Sequence, residues 1–285
     1  MKKVLVTGST GFIGNYVVQV LLAKGFNVVA TSRNIQKANN KDWYNRVTYI
    51  PFDLQELDTS TNYFQFFEEP DLLIDLAWEG LPNYTSLFHF EDNLPAHYHF
   101  IKNMVSNGLK DVSVTGTCFE YGMQSGCLKE NMPSQPANAY AMAKDTLRKF
   151  LQLMQGTTPF TLKWIRLFYM YGQGQSEKSL FSQLGKALSN NDKTFNMSGG
   201  EQIRDFLPVE KVAAYIVAIA TQAENNGIVN CCSNEPVSVK YFITKYLKDL
   251  NKHIELNLGY YPYTAYEPME FWGDNNKLKT ILSNE

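Results

Sequence analysis

The chain has 285 residues, and 26 Lys+Arg against 28 Asp+Glu leave a formal net charge of −2; with no basic run, this excludes the electrostatic footprint of a general nucleic-acid binder. No apolar stretch approaches the roughly 18 residues of a membrane span, and only Val4 to Val6 separate Met1-Lys2-Lys3 from Thr7-Gly8, so no secretory leader is expected. The four cysteines (Cys118, Cys127, Cys231, Cys232) lack metal-ligand spacing and read as reduced thiols of a cytoplasmic protein.

Residues 2–7 are a short β-branched run that stops at glycine, as a buried parallel strand does. Phe12, Ile13, Tyr16, Val17, Val20, Leu21 and Leu22 follow at helical spacing, and Gly25 is placed to cap the helix end. Strands are predicted at Asn27–Thr31, Val47–Ile50, Leu72–Leu76, Asp111–Thr115 and Thr161–Leu167, with helices near Asn93–Asn107 and Ala139–Met154. This alternation predicts an α/β fold, a Rossmann-like doubly wound parallel sheet covered on both faces. Beyond Gly172 the character changes. Polar loops at Gln173–Ser179 and Asn190–Arg204 precede a helix at Val209–Gln222, a strand at Gly227–Cys232 and an aromatic tail from Asn257 to Trp272. The expected division is a dinucleotide-binding domain over 1–170 and a smaller C-terminal substrate-binding lobe over 171–285, with segments around 206–233 crossing between them.

Gly8-Ser9-Thr10-Gly11-Phe12-Ile13-Gly14 lies between the first strand and the first helix. Glycines there permit a tight turn and close approach of the backbone to a pyrophosphate, and the helix N-terminus offers N–H groups and partial positive charge. An NAD site usually carries an acid at the end of the second strand, for the ribose 2′-OH. This chain has Ser32 and Arg33 instead, a hydroxyl and a guanidinium suited to a 2′-phosphate. NADPH is therefore the expected cofactor, with NADH as the alternative. Asp53 and Leu54 are placed to read the adenine, or Asp53 simply caps a helical turn.

Tyr140 and Lys144 stand at i and i+4, on one face of their helix. An adjacent ammonium favours the phenolate. Bringing a tyrosine from about 10 to roughly 7 takes about 4 kcal/mol of differential interaction. Upstream, the strand at Asp111–Thr115 runs into Gly116-Thr117. This places the Thr117 hydroxyl beyond a C-terminal strand end, where doubly wound sheets bind ligands.

With these elements in order, the chain resembles, over nearly its whole length, the extended short-chain dehydrogenase/reductase family, in its nucleotide-sugar branch of NAD-dependent epimerase/dehydratase-like proteins. The resemblance implies a cofactor loop of Gly8, Gly11 and Gly14 with Thr10, Phe12 and Ile13, and a catalytic triad of Thr117, Tyr140 and Lys144. It implies that Leu76 and Ala77, in Asp75-Leu76-Ala77-Trp78, line the cofactor. Lys144 would also bond the nicotinamide ribose. Arg204, in Arg204-Asp205-Phe206 followed by Val209 and Ala213, would contact the nucleotide diphosphate, with Arg166 a weaker candidate. Tyr169 stands where many epimerases carry an asparagine that holds the phosphates, so that contact is expected to be made differently.

The departures narrow the reaction. Dehydratases of this family resemble one another in a Thr-Asp-Glu triplet, but here it is Thr117-Cys118-Phe119, with Glu120 one position late. The absent acid at Ser32/Arg33 favours a reductase. The segments 115–122, 139–144 and 166–175 look most like 4-ketoreductases of dTDP-4-keto-6-deoxyhexoses, which yield dTDP-6-deoxy-L-talose or dTDP-D-fucose for surface polysaccharides. The rival readings are a nucleotide-sugar 4-epimerase and a non-catalytic dinucleotide-sensing protein. A nucleotide sugar is the expected partner, and a homodimer through two helices, one bearing Tyr140, is expected by the same resemblance. His89, His97 and His99 have no completing ligand set, so no metal site is predicted.

Overall fold

The computed structural model describes residues 2–222 and 227–284. Seven strands form one parallel sheet: β1 (Lys3–Val6), β2 (Asn27–Ala30), β3 (Thr48–Tyr49), β4 (Leu72–Asp75), β5 (Asp111–Thr117), β6 (Thr161–Leu167) and β7 (Gly227–Cys231). Their order is β7-β6-β5-β4-β1-β2-β3, and every neighbouring pair is parallel. The chain walks outward from β1 to β3, then crosses back to β4 on the other side of β1. The crevice beyond the β1 and β4 ends is the switch point at which such sheets hold ligands.

Successive strand residues face opposite layers, and the core divides accordingly. Val4 and Val6 pack with Val17, Val18 and Leu21 of α1 (Phe12–Ala23). Leu5 and Leu73 face Phe100 and Met104 of α2 (Leu94–Ser106) and Leu147 and Leu151 of α3 (Ala139–Met154). α4 (Val209–Thr221) joins the α1 layer through Val212, Ala213 and Ile216. α1 stops where predicted: Lys24 is its C-cap and Gly25 takes φ +80°, a conformation open to glycine at no steric cost.

Several predicted ends shift by one residue, and two strands change more in proportion. The strand expected over Val47–Ile50 is only Thr48–Tyr49, because it is the sheet edge and has one partner. β5 runs two residues further than predicted, because its pairing with β6 continues to Thr117 opposite Leu167. That extension carries Thr117 into the crevice. Beyond β6, the strand Tyr169–Tyr171 pairs with Ile203–Pro208, which also pairs with Pro236–Ser238. Helices Leu180–Ser189 and Val239–Asp249 enclose a separate apolar cluster including Leu184, Phe195, Met197 and Ile243. Phe271–Gly273 returns to pair with Gly126–Leu128 beside the β5 end.

Candidate active site

The glycine loop is held by sterics and by one hydroxyl. Gly8 has φ +62°, and a Cβ there would lie 3.0 Å from the Ala77 backbone; a Cβ on Gly14 would lie 2.2 Å from the Gly8 carbonyl oxygen. Thr7 Oγ1 donates to Asp75 Oδ1 at 2.5 Å and accepts from the Leu76 and Ala77 N–H groups at 3.0 and 3.2 Å. The residues predicted to flank a cofactor, Leu76 and Ala77, are thus tied to the loop of Gly8, Thr10, Gly11 and Gly14. Phe12 and Ile13 open α1, and no side chain caps that helix at Gly11. A cradle that a Cβ would fill, facing an uncapped helix N-terminus, fits a pyrophosphate.

At the outer end of this crevice Thr10 Oγ1 donates to Ser32 Oγ at 2.9 Å. Arg33 is not free: its Nη1 lies 2.6 Å from Glu79 Oε1 and 3.7 Å from Asp53 Oδ2. Asp53 caps the following turn by accepting from the Gln55 N–H at 3.0 Å, and Leu54 is buried in the core.

Thr117, Tyr140 and Lys144 come together at the β5 end. Asn138 fixes the start of α3 by accepting from the Ala141 N–H at 2.9 Å, one residue ahead of which Tyr140 turns inward at 7% exposure. Lys144, 2% exposed, donates to the Thr115 carbonyl at 2.8 Å and sits 4.0 Å over the Trp78 ring, a cation–π contact. Burial lowers its pKa to about 8 against the opposing pull of Asp75 and Glu120.

The effect expected of Lys144 on the tyrosine is set against deep burial of the phenol. Burial, then Tyr84, Glu120 and Cys118, push the Tyr140 phenol up, and only a hydrogen bond with Thr117 opposes them. The ammonium is directed at Thr115 and Trp78, and the phenol is enclosed by rings: Trp78, Tyr84 and His89 lie at centroid distances of 6.1, 5.7 and 5.4 Å. Burial thus favours the protonated phenol.

Several residues that sequence reasoning left aside support this centre. Glu120, fully buried, accepts from the Thr117 N–H at 2.9 Å, from Trp164 Nε1 at 2.9 Å and from Arg166 Nε at 2.8 Å. Arg166 is thus a structural charge. The Asp75 carboxylate also accepts from His97 Nδ1 at 2.7 Å. His89 accepts from Trp78 Nε1 and turns its other nitrogen to the Asn83 carbonyl, each at 3.1 Å. It lies in a single π turn, His89–Asn93, that leads into α2. Among the described residues no group of His, Cys, Asp and Glu is arranged to hold a metal ion.

Tyr169 and Arg204, expected to contact substrate, meet at a residue whose role the sequence left open. Tyr169 donates to Glu267 Oε2 at 2.5 Å and Arg204 Nη2 approaches the same oxygen at 2.9 Å. The guanidinium also lies 4.4 Å over the Phe271 ring. Arg204, expected to meet a diphosphate, already has a partly buried carboxylate partner. Between this cluster and Tyr140 stand Phe119, Tyr84 and Tyr266, with Tyr84 centred 5.3 Å from Phe119 and 6.1 Å from Tyr266. Cys118 is buried beside them, and burial pushes its thiol up, so it stays neutral.

A sequence model of the NAD dependent epimerase/dehydratase family matches residues 4–232. The dTDP-6-deoxy-L-talose 4-dehydrogenase (NAD(+)) of Aggregatibacter actinomycetemcomitans is 29% identical over 271 residues, covering 95% of this chain and 98% of the relative. GDP-6-deoxy-D-talose 4-dehydrogenase of the same organism is 25% identical over 292 residues, covering 99% and 92%. The structure of UDP-glucuronic acid 4-epimerase from Bacillus cereus, in complex with UDP-glucuronic acid and NAD, shares the fold, with a TM-score of 0.84 and 23% identity over 99% of this chain and 93% of that one.

Proposed function

The chain belongs to the NAD dependent epimerase/dehydratase family, and from that premise we propose that it reduces the C4 ketone of a nucleotide-linked 4-keto-6-deoxyhexose, with dTDP as the carrier, in deoxysugar and surface-polysaccharide biosynthesis. The observation that carries this reading is the convergence of Thr117 at the β5 end with buried Tyr140 and Lys144, beside a glycine-loop crevice. Relatives named as 4-dehydrogenases of 6-deoxytalose nucleotides support the substrate class, since such an enzyme run in reverse is a 4-ketoreductase.

Gly8, Gly11, Gly14, Leu76 and Ala77 would hold a nicotinamide dinucleotide, with Lys144 near its ribose, and the reduced form would supply hydride to C4. Tyr140 gives its proton to the oxygen as charge grows there, and Thr117 adds a hydrogen bond that strengthens in the transition state. Lys144, held charged by Asp75 and Glu120, stabilises the phenolate left on Tyr140. A dehydratase needs carboxylates beside the sugar. Cys118 and Phe119 offer none, and Glu120 is turned away into Trp164 and Arg166.

We further propose a cytoplasmic homodimer joined through α2 and α3, on which Phe150 and Leu153 are exposed beside Tyr98; light scattering would check it. Absorbance of the reduced nicotinamide, followed with enzymatically made dTDP-4-keto-6-deoxyglucose with and without a 3,5-epimerase, tests the reaction. Consumption without the epimerase assigns a D-fucose product; consumption only with it assigns the L-talose series. No consumption with dTDP-, GDP- or CDP-linked ketones, alongside interconversion of a nucleotide sugar without net redox change, would replace the reductase with a 4-epimerase.

A further inference from the structure

The end of β2 lacks the acid that usually receives a ribose 2′-OH, and on sequence alone Ser32 and Arg33 suit a 2′-phosphate. The structure gives both of them other partners. Tyr49 donates its hydroxyl proton to the Ser32 carbonyl at 2.7 Å. The 2.9 Å contact between the two hydroxyls must therefore run from Ser32 to Tyr49, while Ser32 accepts from Thr10. The Ser32 proton faces inward. Arg33 is bracketed by Glu79 at 2.6 Å and Asp53 at 3.7 Å.

Glu79 is not a loose surface acid. It directly follows Leu76-Ala77-Trp78, and its carbonyl accepts from the Nδ2 of buried Asn93 at 3.2 Å. Asn93 Oδ1 in turn accepts from Gln55 Nε2 at 3.2 Å, and the Gln55 N–H is bonded to Asp53. One network thus fixes the backbones that present both carboxylates to Arg33. Two carboxylates against one guanidinium leave the group net negative, and a 2′-phosphate adds about −1.5 to −2 more at neutral pH. A ribose 2′-OH, by contrast, needs an acceptor, and carboxylates from two neighbouring loops supply what β2 lacks.

We propose that Glu79 selects the cofactor: by engaging Arg33 it withholds the guanidinium from a 2′-phosphate and makes this crevice a site for NAD(H) rather than NADPH. The proposal rests on the crevice binding a nicotinamide dinucleotide, and it is independent of which sugar is reduced.

The test titrates the purified protein with NADH and with NADPH, without any sugar, following the fluorescence of the bound reduced nicotinamide. The wild type is expected to bind NADH about tenfold more tightly. Glu79→Gln, which keeps the shape and removes the charge, should tighten NADPH about two- to fivefold and weaken NADH by a similar factor, as expected for partly exposed charges. Adding Arg33→Ala should cancel the gain, which shows that the freed guanidinium makes the new contact. Tighter NADPH than NADH in the wild type, or an unchanged ratio in Glu79→Gln, would overturn the proposal. Binding of neither dinucleotide would overturn the crevice assignment with it. A protein with the expected ratios that reduces no keto sugar would sink the substrate reading alone.

Discussion

Lys144→Met is expected to stabilise the fold while abolishing turnover. The ammonium is 2% exposed, and burial brings its pKa from 10.5 to about 8 even with Asp75 and Glu120 pulling the other way. At about 1.36 kcal/mol per pKa unit, keeping it charged at neutral pH costs the folded state about 3 kcal/mol. Methionine fills a similar space without charge, and the lost cation–π contact with Trp78 gives back about 1–2 kcal/mol. The net gain is about 1–2 kcal/mol, or roughly 2–6 °C in Tm for a chain of this size. The pH dependence has a definite sign. Below about pH 8 both folded and unfolded chains hold the proton, and the cost is present in full. Between about 8 and 10.5 the folded chain loses it while the unfolded chain keeps it, so the wild type gains stability as pH rises. Urea unfolding of both proteins without cofactor, at about pH 7 and pH 9.5, should therefore show a gap that narrows at the higher pH. Wild-type turnover should decline across the same window as the ammonium is lost. A methionine variant no more stable than the wild type at neutral pH, or a gap that ignores pH, would refute this account of Lys144.

Tyr140→Phe should lower kcat by about 10²–10⁴-fold and leave dinucleotide affinity within about twofold; stopped-flow turnover and a fluorescence titration separate the two. Glu120→Gln leaves the buried Arg166 charge unpaired and sets an amide N–H against donors, at a cost of about 3–5 kcal/mol, which thermal unfolding would register as a Tm lower by roughly 6–15 °C. For Asp75, burial raises the carboxyl pKa, but His97, Lys144 and Thr7 outweigh it and hold the group below the usual range. Its contribution to stability is present above the unfolded value of about 3.9 and is lost as pH falls through the lower folded value. The stability gap between wild type and Asp75→Asn should thus close in acid, as measured by unfolding below about pH 4.

What could be read in the sequence was local. The glycine loop shows itself because strand, turn and helix are contiguous. Tyr140 and Lys144 show themselves because one helical turn fixes their common face. Glu120 is legible by the same logic: Thr117-x-x-Glu120 is a capping box written in four residues. The partners of these residues were not legible, because they lie far along the chain. Trp164 and Arg166 stand 44 and 46 residues from Glu120, and Glu267 stands 98 and 63 from Tyr169 and Arg204. The burial of Tyr140 depends in part on Tyr84, which arrives on a loop with no periodic pattern. The fold's alternation, by contrast, repeats the same short signals many times, so an error at one edge strand does not mislead.

The placement of β7 has a consequence for biosynthesis. Its five residues pair with β6 along Lys163 to Leu167, and α4, which precedes it, covers the apolar side of α1. A nascent chain that has emerged only through β6 would present an unpaired strand edge and the side of α1 that α4 covers, the surfaces through which partly made proteins aggregate. Translation must deliver the segment through Cys231 before the sheet closes, a delay of seconds at roughly 5–20 residues per second. A chain cut near residue 170 should accordingly be insoluble, and a stop or frameshift anywhere before β7 would leave the sheet without its last strand.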